Sequence, residues 1–198
     1  MTMVSPQVLE YRYVRGLERF KTRRMQAQMM PTEQINTIDD LIQALKNGPG
    51  ADGYLSILER VSVPSEHFLK LCTWNTKHYT RNCIARTTDF ELLLICYEPG
   101  QSTSIHDYNT EEAWVHPIVG SVVEERFEQP AQGGLRKVSS AKLVTESFSY
   151  LHNGRSIHRF INNTDDRAVT LNLYARPLSK WKVYDERSGE PRFDSPNG

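Results

Sequence analysis

The chain has 198 residues and a mass of 22.8 kDa, room for about one domain with a substantial core. Its 24 basic and 24 acidic residues cancel, so no global charge recruits nucleic acid or a membrane surface. Its three cysteines (Cys72, Cys83, Cys96) form no C-x-x-C pair and suit a reducing compartment, as thiols in or near the core.

No apolar run approaches the ~20 residues of a membrane span, and the first thirty residues lack the apolar region of a secretory signal. A cytoplasmic location is the expectation. The segment from Glu10 to Met30 reads as a helix rich in arginine, ended by Pro31, and residues 1–35 are expected to form a basic extension of the domain at 36–198. Such a segment is a solvated basic helix or a site for an anionic partner. A second helix is better marked. Thr37 can cap it, Asp40 stands at its third position, and Leu41, Ile42, Ala44 and Leu45 form one apolar face before Asn47-Gly48-Pro49-Gly50 stops it. Leu55, Leu58 and Val61 continue at helical spacing over residues 54–61, and helical character ends near Leu71.

From Thr73 the pattern changes to short strands, expected over residues 79–85, 91–97, 113–119, 122–128, 135–144, 147–151 and 168–174. Between them lie turn-forming clusters such as Gln132-Gly133-Gly134, Asn153-Gly154 and Asn162-Asn163-Thr164-Asp165-Asp166. Strands at this spacing predict an antiparallel sandwich or barrel able to hold one small ligand, with a helical N-terminal third packed on it.

The chemistry concentrates after the Pro99-Gly100 turn. His106 and Tyr108 stand two residues apart, on one face if the backbone is extended. The spacing from Gly100 to His106, with Gly120 further on, is the first half of a cupin motif in which Tyr108 replaces the second histidine. His158 also follows a glycine-bearing turn, at Gly154, and the two histidines are expected to face each other across the barrel as opposite walls of a metal pocket. Among other candidates, Glu111 and Glu112 are expected to be loop-surface acids, although each can replace a missing ligand. His116 is a wall histidine, a ligand or a support for one, and His152 and Arg155 flank the Asn153-Gly154 turn before His158, as candidates to line the pocket mouth. The chain has no Gly-x-Ser-x-Gly elbow and no phosphate loop.

The chain resembles the cysteine dioxygenase type of thiol dioxygenase, a single-domain cupin. The resemblance rests on Thr37-Ile38-Asp39-Asp40-Leu41-Ile42, Tyr79-Thr80-Arg81-Asn82, Ser104-Ile105-His106-Asp107, Ile157-His158-Arg159, Leu173-Tyr174-Ala175-Arg176-Pro177 and Tyr184-Asp185-Glu186-Arg187-Ser188-Gly189, in the family's order. It implies a mainly β fold: a small β-barrel or jelly roll with an N-terminal helical segment. It also implies an oxidoreductase that uses O2 to oxidise the sulfur of a small carboxylate-bearing thiol, most simply L-cysteine. In the family three histidines hold ferrous iron, which binds the substrate's thiolate and amine. His106 and His158 match two of these ligands, and Tyr108 takes the place of the other. Arg81 matches the arginine that pairs with the substrate carboxylate, with Tyr79 beside it, and Tyr174 matches the active-site tyrosine.

Three departures accompany this match. Tyr108 can ligate as a phenolate or stand back from the metal, and so leaves Fe(2+), Ni(2+) or another divalent ion open. Ala113 replaces the cysteine that in some members cross-links to the tyrosine, and Asn172 and Thr170 stand where a histidine and a serine often support it. Three outcomes follow: ordinary sulfinate formation, a redirected sulfonate- or sulfonamide-type product, with or without decarboxylation, or an inactive cupin that binds a small ligand. A monomer or small homo-oligomer is expected, with no nucleic acid or membrane partner.

Overall fold

The computed structural model describes residues 33–50, 53–107, 110–154 and 156–194. The expected basic helix over residues 10–30 lies outside them. Three short helices, α1 (Ile38–Lys46), α2 (Leu55–Leu58) and α3 (Ser65–Leu69), precede eleven strands. Thr37 caps α1 as anticipated: its hydroxyl accepts from the Asp40 amide at 3.1 Å, and Asp39 and Asp40 place negative charge in the first turn. The expected helix over residues 54–61 is a single turn at α2, because Arg60 and Val61 close it with three-residue turns onto Ile57 and Leu58.

The strands are β1 (Thr80–Arg86), β2 (Phe90–Tyr97), β3 (Ile105–Asp107), β4 (Thr110–Val119), β5 (Val122–Glu128), β6 (Arg136–Leu143), β7 (Ser149–Gly154), β8 (Ile157–Ile161), β9 (Ala168–Ala175), β10 (Trp181–Tyr184) and β11 (Pro191–Asp194). A five-stranded sheet has the order β1-β2-β9-β4-β7, and a six-stranded sheet the order β11-β10-β3-β8-β5-β6. The named strand pairs are antiparallel. This is the mainly β jelly roll expected of a cupin, with a small helical portion before it.

The helices cover the outer face of the five-stranded sheet. Leu41, Leu45, Ile57 and Phe68 pack there against Leu92, Leu94, Trp114, Leu171 and Leu173. The opposite face of the same strands looks into the barrel, where Ile95, Tyr97 and Val115 meet Phe160 and Val122 of the other sheet. Both faces of β2 and β9 are therefore buried, which is why Glu91 to Tyr97 reads as a continuous apolar run rather than an alternating one. Cys96 lies in this core and Cys72 is half-buried, but Cys83 is exposed on the edge strand β1, contrary to expectation.

Glu112 corrects a second expectation. It sits within β4, not on a surface loop, and it is buried. Its carboxylate accepts from the Tyr54 amide at 3.1 and 3.3 Å and from the Tyr150 hydroxyl at 3.1 Å, tying the helical layer to the sheet. Gly53 has φ +69°, and a Cβ there would collide with that carboxylate, so the chain passes close only because residue 53 is glycine. We expect Glu112→Ala to cost about 1–3 kcal/mol, because a buried amide and a phenol lose their acceptor. Urea unfolding of wild type and variant, compared at equal m-value, checks this.

Candidate active site

The site begins with one cross-strand pair. β3 and β8 are neighbours in the six-stranded sheet, and His106 lies directly opposite His158. The two histidines thus share one wall instead of facing each other across the barrel. Residues opposite each other on antiparallel strands point to the same face, and the rings stand 4.8 Å apart at 64°. The register is held beside them: Thr103 N donates to Phe160 O at 2.9 Å, and the Thr103 hydroxyl accepts from Phe160 N at 3.0 Å. One turn back, Gly100 N and Asn162 N donate to Asn162 O and Gln101 O, each at 2.9 Å.

Each imidazole is fixed through Nδ1. His106 Nδ1 lies 2.8 Å from Ser104 O, and His158 Nδ1 lies 3.1 Å from Glu124 Oε1. A carbonyl and a carboxylate only accept, so both rings carry a proton on Nδ1, and Nε2 is the ring nitrogen turned away from these contacts. Burial, reinforced by the neighbouring His158, pulls the His106 pKa down to about 3, so it is a neutral imidazole at any physiological pH. Burial pushes the Glu124 carboxyl up. The hydrogen bonds and charges of His158 and Arg126 outweigh this and hold it at about 2. Arg126 Nη2 donates to Glu124 Oε2 and to Ser149 Oγ, both at 2.9 Å.

In front of His106 is a cavity of about 50 Å³ whose walls include Tyr79, Arg81, Tyr174, Trp181 and Asp194. The sequence-expected residues His106, Arg81, Tyr79 and Tyr174 therefore meet at one place. Arg81 comes from β1 and stacks over the Trp181 ring of β10, 5.1 Å to the centroid, which holds the guanidinium without using its fork of donors. Tyr79 stacks on Tyr97 at 5.8 Å. Burial raises its phenol pKa, with Arg81 opposing and Asp194 adding to the rise, so the hydroxyl stays protonated. Tyr174 on β9 is the cross-strand partner of Ala113 on β4, in an apolar cluster with Leu93, Leu151 and Leu178. Alanine at that position offers no sulfur for a cross-link to the ring. Asn172 and Thr170 precede Tyr174 on the same face of β9, buried inside the barrel.

Glu112 and His116 lie on the other face of β4, with Trp114 and the helical layer. His116 stacks on Trp114 at 5.1 Å and 6°, and burial draws its pKa down to about 4. Both are structural groups turned away from the cavity. Tyr108 and Arg155 lie outside the described residues, and the side chains of Glu111 and His152 are likewise not described. Among the described residues, no three His, Cys, Asp or Glu side chains form a metal-holding cluster; His106 and His158 meet as a pair.

The sequence reading missed Glu124, Arg126, Trp181 and Asp194. A signal for the first two was present: opposite charges two apart in Val122-Val123-Glu124-Glu125-Arg126, hence on one face of a strand. It was hidden because Glu125 on the other face is also charged, pairing with Lys137 and Arg159. Trp181 and Asp194 belong to β10 and β11, whose four-residue length gives too little periodicity to recognise.

The Cysteine dioxygenase type I family matches residues 25–187. Cysteine dioxygenase type 1 from Danio rerio is 24% identical over 163 residues, covering 77% of this chain and 81% of that protein. The protein of the same name from Rattus norvegicus is 28% identical over 138 residues, covering 68% and 69%. Among solved structures, a protein with a double-stranded beta-helix domain from Klebsiella pneumoniae superposes with a TM-score of 0.45 at 13% identity, covering 64% of this chain and 85% of that one. No helix among the described residues is long and apolar enough to cross a membrane. The chain belongs to the cysteine dioxygenase type I family and is an oxidoreductase of the dioxygenase kind.

Proposed function

We propose that the protein uses O2 to oxidise the sulfur of a small thiol carrying a carboxylate, most simply L-cysteine, with His106 and His158 holding a divalent metal. The observation that carries this reading is the pair of imidazoles, locked through Nδ1 and 4.8 Å apart, beside a cavity lined by Arg81. Two imidazole nitrogens on rigid strands fit a first-row divalent ion, and iron is the metal that the family membership favours. Such an ion supplies thiol activation and oxygen chemistry that no side chain here possesses.

The remaining work falls to the protein. The Arg81 guanidinium offers a planar two-donor face to the substrate carboxylate in a partly dry pocket, and its stacking on Trp181 keeps that face in place. Asp194 brings an opposite charge to the same lining and suits a substrate with an ammonium group. A thiol bound between these charges has its sulfur directed to the histidine wall, which converts encounter into alignment. Tyr79 and Tyr174 contribute hydroxyl groups beside it, and Tyr174 supports the oxygenated substrate. Tyr108 would take the remaining ligand position. A phenol is a poorer donor to ferrous iron than an imidazole, which bears on both metal choice and product. The reading places the reaction in the cytoplasm, where free thiols persist.

The decisive experiment is metal quantification on the purified protein, followed by incubation with L-cysteine under O2 with oxygen uptake and mass spectrometry of products. Sulfinate as the main product supports the reading. A sulfonate- or sulfonamide-type product, with or without loss of carbon dioxide, assigns the redirected reaction instead. Absence of turnover after reconstitution with iron and with nickel makes the protein an inactive binder.

Two variants refine this. Arg81→Gln is expected to raise KM for cysteine at least tenfold with a smaller effect on kcat, because it removes a charge-assisted pair worth roughly 1.5–3 kcal/mol. Cysteamine, which lacks the carboxylate, should be insensitive to that change. Tyr108→His is expected to raise both iron content and the rate of sulfinate formation. Unchanged iron content and products would show that residue 108 has no part in metal binding.

A further inference from the structure

Behind the histidine wall lies a buried charged pair that the proposed reaction does not itself use. Glu124 and Arg126 project from β5 into the barrel, with relative exposures of 0% and 8%, and His158 beside them is 3% exposed. One Glu124 oxygen accepts from His158 Nδ1 at 3.1 Å and the other from Arg126 Nη2 at 2.9 Å, while the same Nη2 reaches Ser149 Oγ on β7. Burying two charges in a barrel of this size is costly, and an apolar pair would fill the space without the desolvation penalty.

We infer that Glu124 and Arg126 are positioning residues that fix His158 in its Nδ1–H tautomer and so make Nε2 the donor to the metal. The inference rests on the reading of His158 as a metal ligand. The chemistry is directional. A guanidinium has donors only, and the carboxylate accepts on both oxygens, so it can satisfy Arg126 and His158 at once. An amide cannot. With glutamine at position 124, the amide oxygen must turn to Arg126, which leaves the NH2 group facing His158 Nδ1. That nitrogen must then accept, the proton moves to Nε2, and the lone pair needed for metal is lost. Arg126 is therefore what makes position 124 intolerant of a nearly isosteric amide. A carboxylate that orients a ligand histidine is typically worth 10- to 100-fold in metal affinity.

The test has a readout independent of turnover. Nitrogen-15 NMR of the metal-free protein, with His158 assigned by its substitution, is expected to show Nδ1 protonated in the wild type and Nε2 protonated in Glu124→Gln. Cobalt(II) titration, followed by its visible absorption, should show affinity falling 10- to 100-fold in Glu124→Gln. In the double variant Glu124→Gln/Arg126→Leu the amide is free to turn its oxygen towards His158, so both the wild-type tautomer and most of the affinity should return. A merely structural role predicts no such recovery, since the double variant has lost two polar groups.

If the wild type itself carries the proton on Nε2, the inference is overturned without any variant. If wild type binds cobalt and Glu124→Gln binds it equally well, the metal reading stands and the role of Glu124 falls. If wild type takes up neither cobalt nor iron, the metal reading fails and the role assigned to the pair fails with it.

Discussion

The arrangement of this protein depends on the register between two short strands. β3 is three residues long, and its one direct ladder partner in β8 joins His106 to His158. A slip by one residue would turn one imidazole out of the barrel and leave the other without its facing imidazole. Little of the pairing energy comes from the strand itself. The register is set by flanking contacts: the two-way exchange between Thr103 and Phe160, and the buried Asn162, whose side-chain amide donates to Tyr97 O and Glu98 O before the Pro99-Gly100 turn and to Asp166 O in its own turn. A turn built largely from backbone hydrogen bonds thus decides where the chemistry sits.

Around that pair the protein separates its polar groups into two kinds. On the outer face of the five-stranded sheet, Glu112 is satisfied by Tyr54 and Tyr150 and secures the helical layer, while His116 stacks on Trp114. On the inner face, Glu124, Arg126, Asn172 and Thr170 are kept inside a barrel that is otherwise aliphatic and aromatic. Of the first, Glu112 holds two layers together. Of the second, Glu124 and Arg126 lie next to His158, where the low dielectric makes each hydrogen bond more consequential.

The strand pattern, the Thr37 cap and the gathering of His106, Arg81, Tyr79 and Tyr174 were legible because each sits in a segment with clear periodicity or a recognisable family pattern. The relation of His106 to His158 was read as facing walls because sequence spacing does not say whether two strands are neighbours or opposites; here β3 and β8 pair. Glu112 was read as a surface acid because its partners, Tyr54 and Tyr150, lie 58 and 38 residues away. Arg126 and Asp194 were overlooked for a related reason. A charge in a short strand looks solvated until the opposite sheet is in place. Pairing partners distant in sequence are what sequence pattern cannot supply.

The cavity's lining runs from Tyr79 to Asp194, with His106, Phe160 and Trp181 between. No continuous half of the chain contains it. A nascent chain that has exposed its helices and first strands has Arg81 and His106 but neither His158 nor the closing strands β10 and β11, so the pocket waits for residues 181–194 to complete it. Loop-closure entropy makes such long-range pairing the slow part of folding. The core around β2 and β9, which encloses Cys96, likewise joins segments more than seventy residues apart on average in sequence, roughly the loop length that sets the entropy of closure. The sequence distance between the two ends of a small pocket thereby makes its closure a late event in folding.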